Sequence, residues 1–173
     1  GISVLDVGCG TGSDLEQYHQ AGCDVYGVDL SPAMLRQARR RLGDTASLHQ
    51  CDAAQMPFQR DFFDLILATN TLHEIPAKHR SSVVSEMLRV LKRDGRLLLA
   101  DFSPGPYSFP IGWMGRALIL VVELFAGSEH FRNGRDFLIR GGLEGLIKPD
   151  QLTIESITVI DPGTVAFFLL RAT

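Results

Sequence analysis

Three glycines at alternate positions, Gly8, Gly10 and Gly12, directly follow a short apolar segment of the type that forms buried strands. A run with helical character comes next, so the pattern predicts a strand, a tight turn and a helix. Because glycine has no Cβ, Gly8 and Gly10 can adopt positive φ angles and let a ligand lie directly on the main chain. Such a turn brings backbone N–H groups up to a ligand, and we expect Thr11 or Ser13 to cap the helix.

A carboxylate stands at the end of the next apolar segment. Asp29 follows this segment, and an acid about 20 residues beyond the first glycine commonly binds the hydroxyls of a ribose. The two features together indicate a ligand that contains a nucleoside. The spacing of the glycines is G-x-G-x-G, with Ser13 at the next position, whereas dinucleotide sites use G-x-G-x-x-G. An NAD(P)-dependent oxidoreductase is therefore a less favoured alternative.

These motifs closely resemble those of the class I S-adenosylmethionine-dependent methyltransferases. Residues 6–12, Asp-Val-Gly-Cys-Gly-Thr-Gly, resemble motif I of that family, Asp29 matches its ribose-binding acid, and Cys51-Asp52-Ala53 matches its third adenosine-contacting motif. Residues 63–66 and 70–73 resemble its fourth strand and the loop that follows. Residues 91–97 resemble the turn into its fifth strand, with Asp94-Gly95 where the family usually has Pro-Gly.

The matches occur in order over residues 2–102. The later part of the chain, with residues 131–133 and 141–143, is similar to the small-molecule branch related to ubiquinone/menaquinone biosynthesis C-methyltransferases. The resemblance implies S-adenosylmethionine as the cofactor, S-adenosylhomocysteine as the product and a small molecule as the methyl acceptor. A cofactor-binding scaffold without activity is the main alternative of another class.

The resemblance also implies which residues bind each part of the cofactor. Its methionine end is expected to contact Asp6 and the backbone of Gly8, Cys9 and Gly10. Thr69 and Asn70 follow the fourth strand and are expected beneath the sulfonium, at the edge of the sheet where such folds bind ligands.

The adenosyl half of the cofactor is expected to contact a second group of residues. Asp29 should accept hydrogen bonds from the ribose, and Asp52 should accept one from the adenine amino group, with the Ala53 N–H beside it. Leu30 and Met34 are expected near the ribose or the adenine. Met34 equally fits the core of a helix, and we leave the two interpretations open.

Methyl transfer needs little from side chains, because a dry pocket and in-line alignment provide most of the acceleration. The candidates for contact with the acceptor are His73, Glu74, Asp101, Tyr107 and His130. His73 could act as a base, since an imidazole titrates near neutral pH, or it could simply pack beside the cofactor pocket. Asp101 could orient the acceptor or bond to neighbouring backbone.

The alternation of apolar segments and helical patterns predicts an α/β fold: a Rossmann-like, doubly wound, mostly parallel seven-stranded sheet. The predicted strands are 2–7, 24–28, 46–51, 61–69, 95–101, 156–160 and 165–170, and the predicted helices include 13–21, 33–42, 80–91 and 129–140. The last two strands are joined by four residues, which predicts an antiparallel hairpin. We treat 1–173 as one domain, with a cofactor-binding half (1–103), a helical acceptor or lid region (104–150) and the hairpin (151–173).

The helical region is rich in large apolar side chains: Phe109, Trp113, Met114, Phe125, Phe131 and Phe137. They could line a pocket for a small, partly apolar acceptor, or fill the space between the helices and the sheet. The family usually has a helix before motif I, so we expect part of the lid to lie outside this sequence.

The composition limits the class of protein. A chain of 173 residues with a net charge of −3 has no general attraction to nucleic acid. The longest apolar stretch is far shorter than the roughly 20 residues of a membrane span. Cys9, Cys23 and Cys51 lack the spacing of a disulfide framework or a zinc site, so we expect no metal and reduced thiols in the cytoplasm. The sequence does not predict the oligomeric state.

Overall fold

The computed structural model describes residues 1–107, 109–160 and 163–173, and of residues 119–126 only the backbone. Strands and helices alternate through the first part of the chain. In order, these are β1 (Ser3–Val7), α1 (Ser13–Gln20), β2 (Asp24–Asp29), α2 (Pro32–Leu42), β3 (Ser47–Gln50), β4 (Phe63–Thr69), α3 (Ala77–Val90) and β5 (Leu91–Phe102). Then follow α4 (Ile111–Ala126), α5 (Ser128–Ile139), a short 3-10 turn (Glu144–Leu146), β6 (Leu152–Ile160) and β7 (Val165–Ala172).

The seven strands form one sheet in the order β3-β2-β1-β4-β5-β7-β6. Strands β1 to β5 pair in parallel, whereas β7 lies antiparallel between β5 and β6. The predicted doubly wound α/β fold with an antiparallel terminal hairpin is therefore confirmed. Because the parallel strands all end at one edge, the residues that follow β1, β2, β4 and β5 meet there.

Alternate residues of the central strands pack into two separate cores. Leu5 and Ile66 belong to the larger core, which contains side chains of α3, α5 and the hairpin. Val4 and Leu67 belong to the smaller core, which contains side chains of α1 and α2. Successive side chains of a strand point to opposite faces of the sheet, so both faces of β1 are covered. The fully buried β1 thus holds the glycine turn at a fixed place.

Two local predictions differ from the structure. No side chain caps α1: the N-cap is Gly12, whose φ of 74° places it in the left-handed region, so the predicted cap by Thr11 or Ser13 is wrong. Helix α3 begins three residues earlier than predicted, directly after Pro76. Helix α2, in contrast, has a side-chain cap, because the Ser31 hydroxyl accepts a hydrogen bond from the Met34 N–H.

Much of the apolar surface at and just before the start of α4 faces solvent. Phe109, Trp113 and Met114 are 85%, 64% and 69% exposed, whereas Phe137 of α5 is buried in the larger core. Of the six side chains expected to line a pocket or fill the core, Phe137 is thus buried, Phe131 is half-buried, and Phe125 lies outside the described side chains. Over the part of the chain that is described, no helix combines the length and apolarity that a membrane span requires.

Arg80 connects the loop after β4 to α5. Its side chain is 1% exposed, and its guanidinium donates to the carbonyl oxygens of Leu72, Ile75 and Asn133 and to the Asp136 carboxylate. The distances are 2.7–3.1 Å. A buried cation that donates from each of its three nitrogens holds its partners in place, so Arg80 fixes the shape of the loop that follows β4.

We expect Arg80→Ala to lower the free energy of unfolding by about 3 kcal/mol or more, because it leaves three carbonyl oxygens without their donor and removes a buried ion-pair partner. Arg140→Ala is the matched control. Arg140 bonds to the same Asp136 carboxylate but is 65% exposed, so its loss should cost less than about 1 kcal/mol. Chemical denaturation of both variants measures the difference, and equal losses would contradict this role of Arg80.

Candidate functional site

The glycine turn after β1 is bonded to the end of β2 through its backbone. The Gly8 and Cys9 N–H groups both donate to the Val28 carbonyl oxygen, at 2.8 and 3.0 Å. The Gly10 N–H donates to Oδ2 of Asp29 at 2.9 Å. These three donors are therefore used inside the protein. The turn does not present them to a ligand, in contrast to the expectation from the sequence pattern.

The turn has the conformation and the open surface that the sequence predicts. Gly8 and Gly10 have φ angles of 75° and 50°, which favour glycine. A Cβ at Gly8 would overlap the side chain of Thr71, whereas a Cβ at Gly10 would meet no atom within 4 Å. Gly8 therefore allows the loop after β4 to approach, and Gly10 leaves space above the main chain for a ligand.

Asp29 lies at the end of β2 with its carboxylate held on both sides. Oδ2 accepts from the Gly10 N–H, and Oδ1 accepts from the Ser31 N–H at 2.7 Å. A carboxylate has about four acceptor positions, so each oxygen retains one for a further donor. The half-buried side chain also lines a cavity. It is thus a fixed acceptor pair of the kind that a ribose diol requires.

A cavity of about 290 Å³ extends from the glycine turn along the carboxyl edge of the sheet. Its lining contains five of the predicted cofactor residues: Gly8, Asp29, Leu30, Asp52 and Ala53. It also contains residues that the prediction lacked or did not assign to the cofactor, among them Cys51, Thr71, Glu74, Ile75, Pro76, His79 and Val83. The volume is at the small end of ligand cavities, which span roughly 300–1,000 Å³, so it suits part of a nucleoside ligand.

At the far side of the cavity, residues 52–55 form a turn that positions Asp52. Oδ1 of Asp52 accepts from the Ala54 N–H at 2.8 Å, and its carbonyl oxygen accepts from the Gln55 N–H. Asp52 is exposed and keeps its second carboxylate oxygen without a donor from the described residues. The Ala53 N–H likewise bonds to no described acceptor. An acceptor and a donor therefore stand side by side at this wall.

Six predicted cofactor residues do not line the cavity: Asp6, Cys9, Gly10, Met34, Thr69 and Asn70. Met34 lies on the first turn of α2 and is 40% exposed. The Cys9 side chain is buried in the smaller core, against Gly27. Thr69 and Asn70 form the turn that ends β4, where Asn70 has a φ of 51° and donates its N–H to the Ala100 carbonyl oxygen.

Asp6 is 3% exposed, next to the glycine turn, and accepts no hydrogen bond from any described residue. Burial, with smaller contributions from the charges of Asp14 and Asp29, raises its pKa to about 8. The same burial, together with Asp6 and Asp29, raises the pKa of the Cys9 thiol. Ionisation of the Asp6 carboxyl is therefore costly in the ligand-free protein.

The two predicted catalytic residues are in contact. Nδ1 of His73 lies 2.7 Å from Oδ1 of Asp101, and the His73 N–H donates to Oδ2 at 3.1 Å. Asp101 is fully buried at the end of β5 and also accepts from the Phe102 N–H at 2.7 Å. The imidazole stacks on the Phe102 ring, with ring centroids 4.4 Å apart. The carboxylate thus fixes the orientation of the ring.

The other three acceptor candidates are arranged differently. Glu74 lines the cavity and is exposed, and its carboxylate lies 3.8 Å from Nδ1 of His130. The His130 ring packs at a right angle on the His73 ring. The Tyr107 hydroxyl donates to the Ser103 carbonyl oxygen at 2.8 Å and does not line the cavity. The structure thus brings Glu74 and His130 to His73, and assigns Tyr107 a bond within its own loop.

The sequence profile of a family described as "Methyltransferase domain" matches residues 4–95, which contain the glycine turn, Asp29, Asp52 and His73. Among curated relatives, the demethylmenaquinone methyltransferase of Renibacterium salmoninarum is 38% identical over 60% of this chain and 42% of its own length. The ubiquinone/menaquinone biosynthesis C-methyltransferase UbiE of Burkholderia vietnamiensis is 34% identical over 60% and 44%. This chain thus spans less than half the length of these relatives.

Solved structures with the same fold have lower identity. A TehB-like S-adenosylmethionine-dependent methyltransferase from Corynebacterium glutamicum superposes with a TM-score of 0.66 at 18% identity, covering 100% of this chain and 81% of its own. The 1,6-didemethyltoxoflavin-N1-methyltransferase of Burkholderia thailandensis, solved with 1,6-didemethyltoxoflavin and S-adenosylhomocysteine, gives 0.65 at 17% identity, covering 99% and 71%. Because the family profile matches more than half of the sequence, this chain belongs to the family of methyltransferase domains.

Proposed function

We propose that this chain binds S-adenosylmethionine in the cavity beside the glycine turn and transfers its methyl group to a small-molecule acceptor. When bound, this cofactor supplies a methyl group activated by a positively charged sulfonium. The observation on which the proposal rests is the chemistry of the turn. The N–H groups of Gly8, Cys9 and Gly10 are bonded internally, and the buried Asp6 lies beside them.

That arrangement favours a cation over an anion. A pyrophosphate needs free backbone donors at the glycine turn and the positive end of a helix. Here the donors of Gly8, Cys9 and Gly10 are used, and burial with the charges of Asp14 and Asp29 raises the cost of ionising Asp6. The ammonium and sulfonium groups of the cofactor would reduce that cost. The same argument disfavours an NAD(P)-dependent oxidoreductase.

The adenosyl half fits the remaining walls of the cavity. Asp29 has two open acceptor positions for the ribose hydroxyls. The adenine edge presents a donor beside an acceptor, and Asp52 and the Ala53 N–H offer the complementary acceptor and donor. Apolar side chains that include Leu30 and Ile75 form the walls for the ring. Asp6, the backbone of Gly8, Cys9 and Gly10, and Thr69 with Asn70 remain our assignments for the methionine and sulfonium end, and Met34 for the adenine side.

We assign the acceptor end of the site to His73 and Asp101. A bond from Nδ1 to the buried Asp101 carboxylate makes Nε2 the nitrogen through which His73 would take a proton from the acceptor. By their printed names, two of the proteins above act on demethylmenaquinone and on 1,6-didemethyltoxoflavin, which supports a small molecule as the acceptor. We also propose that the protein is soluble and located in the cytoplasm. The alternative is a scaffold that binds the cofactor without activity. A screen of acceptors distinguishes the two, because a scaffold would yield no methylated product.

We expect S-adenosylhomocysteine at about 100 times its Kd to raise the Tm by about 5–10 °C, because a ligand that binds only the folded state stabilises it by about 2.7 kcal/mol at that concentration. NAD⁺ should leave the Tm unchanged. Asp29→Asn should weaken binding about 10- to 100-fold, since it removes a charged acceptor. Asp24→Asn, at the opposite and exposed end of β2, is the control. Stabilisation by NAD⁺ alone would contradict the proposal.

The raised pKa of Asp6 predicts a pH-dependent stability of the ligand-free protein. The folded-state pKa of about 8 lies above the ordinary value of 3.8, so its penalty is absent below about pH 4 and grows until the pH passes about 8. Asp6→Asn keeps the shape and removes the charge. We expect this variant to be more stable than the parent by at least about 1 kcal/mol at pH 8.5, since one pKa unit corresponds to about 1.4 kcal/mol. Thermal melts from pH 4.5 to 8.5 measure this, and a difference that does not grow with pH would contradict it.

The role of His73 is tested after label transfer from S-adenosylmethionine to a metabolite extract has identified an acceptor. We expect His73→Gln to lower kcat about 100-fold or more, in line with the typical contribution of a general base, while the affinity for S-adenosylhomocysteine stays within a factor of two or so. His19→Gln, at a histidine that bonds Thr45 and does not line the cavity, should leave kcat unchanged. Full activity of His73→Gln would remove the base assignment.

A further inference from the structure

Three metal-ligating side chains meet beside the cofactor cavity. His73 and Glu74 lie in the loop after β4, and His130 lies on the first turn of α5. One ligand atom from each lies within 4.8 Å of the other two. We propose that His73, Glu74 and His130 form a binding site for a divalent transition metal ion, with Zn²⁺ as the ion that best suits this donor set.

The donor types determine the kind of ion. Two imidazole nitrogens and one carboxylate oxygen are the protein ligands of many catalytic zinc sites, which keep a further position open. Ca²⁺ and Mg²⁺ prefer sites built entirely from oxygen, so the two histidines select against them. A three-ligand site of this composition also leaves room for an exogenous ligand.

The surroundings of His73 match those of a metal-binding histidine. Such a histidine usually bonds a carboxylate or carbonyl through the ring nitrogen that does not bind the metal, which fixes the tautomer and the ring. Here Nδ1 bonds Asp101, and Asp101 is itself fixed by the backbone N–H groups of His73 and Phe102. Nε2 is accordingly the nitrogen that we assign to the metal.

The other two ligands are held near His73 by the packing of α5. The Asn133 side-chain amide donates to the Glu74 carbonyl oxygen at 2.9 Å, which ties the loop to α5. The His130 ring stands 5.4 Å from the His73 ring, at 86°. Ligand atoms around a tetrahedral zinc lie roughly 3.3 Å apart, as follows from Zn–N distances of about 2.0 Å. The Glu74 and His130 side chains are 57% and 25% exposed, so rotations of these two side chains can close the difference.

The position of this site relates it to the proposed reaction, although metal binding itself does not depend on that reaction. Glu74 lines the same cavity as Asp29 and Asp52, so the ion would lie at the wall where the acceptor must enter. A metal ion lowers the pKa of a hydroxyl bound to it. Metal binding at Nε2 of His73 and uptake of a proton at the same nitrogen exclude each other, so the metal-bound protein would favour an acceptor whose own oxygen binds the ion.

Titration of the metal-free protein with Co²⁺, followed by its visible ligand-field absorption, tests the proposal. We expect saturation at one ion per chain and displacement by Zn²⁺. Glu74→Gln and His130→Ala should each weaken binding at least 10-fold, since even partners outside the ligand set contribute 10- to 100-fold. Glu74 is exposed and His130 half-buried, so both variants should fold, which thermal melts verify.

His79→Ala is the matched control, because it removes an exposed histidine from the same cavity wall and should leave Co²⁺ affinity unchanged. Absence of saturable binding would overturn the proposal. Binding that Glu74→Gln and His130→Ala leave unchanged would also overturn it, because the ion would then lie elsewhere. A Tm measurement with S-adenosylhomocysteine in the presence of a chelator reports the proposed cofactor site separately.

Discussion

The site depends on the bonds between the end of β2 and the turn after β1. One carbonyl oxygen, that of Val28, accepts two N–H groups of the turn, and the Asp29 carboxylate accepts a third. Unpaired backbone donors in a partly buried turn are costly, so the neighbouring strand satisfies them. The consequence is geometric and electrostatic at once. The turn is held at the position that the buried β1 sets, and its three N–H groups are no longer available to bind an anion.

The loop after β4 completes the other side of the cavity through a separate set of bonds. Thr71 fits over Gly8 only because that residue has no Cβ. Arg80 holds the carbonyl oxygens of Leu72 and Ile75, and through Asp136 and Asn133 it joins the loop to α5. Gly8 in the turn after β1 and the buried Arg80 of α3 therefore together determine how wide the cavity is. Neither residue needs to contact a ligand to have this effect.

The sequence predicts the fold, and the place of Asp29 and Asp52 on one cavity wall, because both follow from short segments. The apolar runs define the strands, the fixed spacing from Gly8 to Asp29 follows from one strand–helix–strand unit, and Asp52 ends the next strand along the chain. The contacts of the backbone donors are not predictable in this way, because the pairing of Gly8 and Cys9 with Val28 depends on strand register. His130 is a further example. Its approach to His73 depends on how α5 packs, and no sequence spacing encodes that.

The helical region shows where composition misleads. Its aromatic and large apolar residues predict a pocket or a core, yet Trp113 and Met114 face solvent while Phe137 is buried. An apolar pattern indicates that a helix has a face to bury. It does not indicate which other element covers that face. Phe137 is fixed by Arg80, whose guanidinium lies 5.2 Å from its ring centre.

Asp101 shows how the two residues that we assign to the acceptor are held in a fixed orientation. A fully buried carboxylate is stable only when donors satisfy it, and the backbone N–H groups of His73 and Phe102 supply two. A third bond goes to a side-chain nitrogen of His73. If Asp101 served only stability, a smaller side-chain donor than the His73 imidazole would satisfy its carboxylate equally well. An imidazole that is bonded at Nδ1 and stacked on Phe102 can meet a proton or an ion through Nε2 in only one direction, and that direction is set before any ligand arrives.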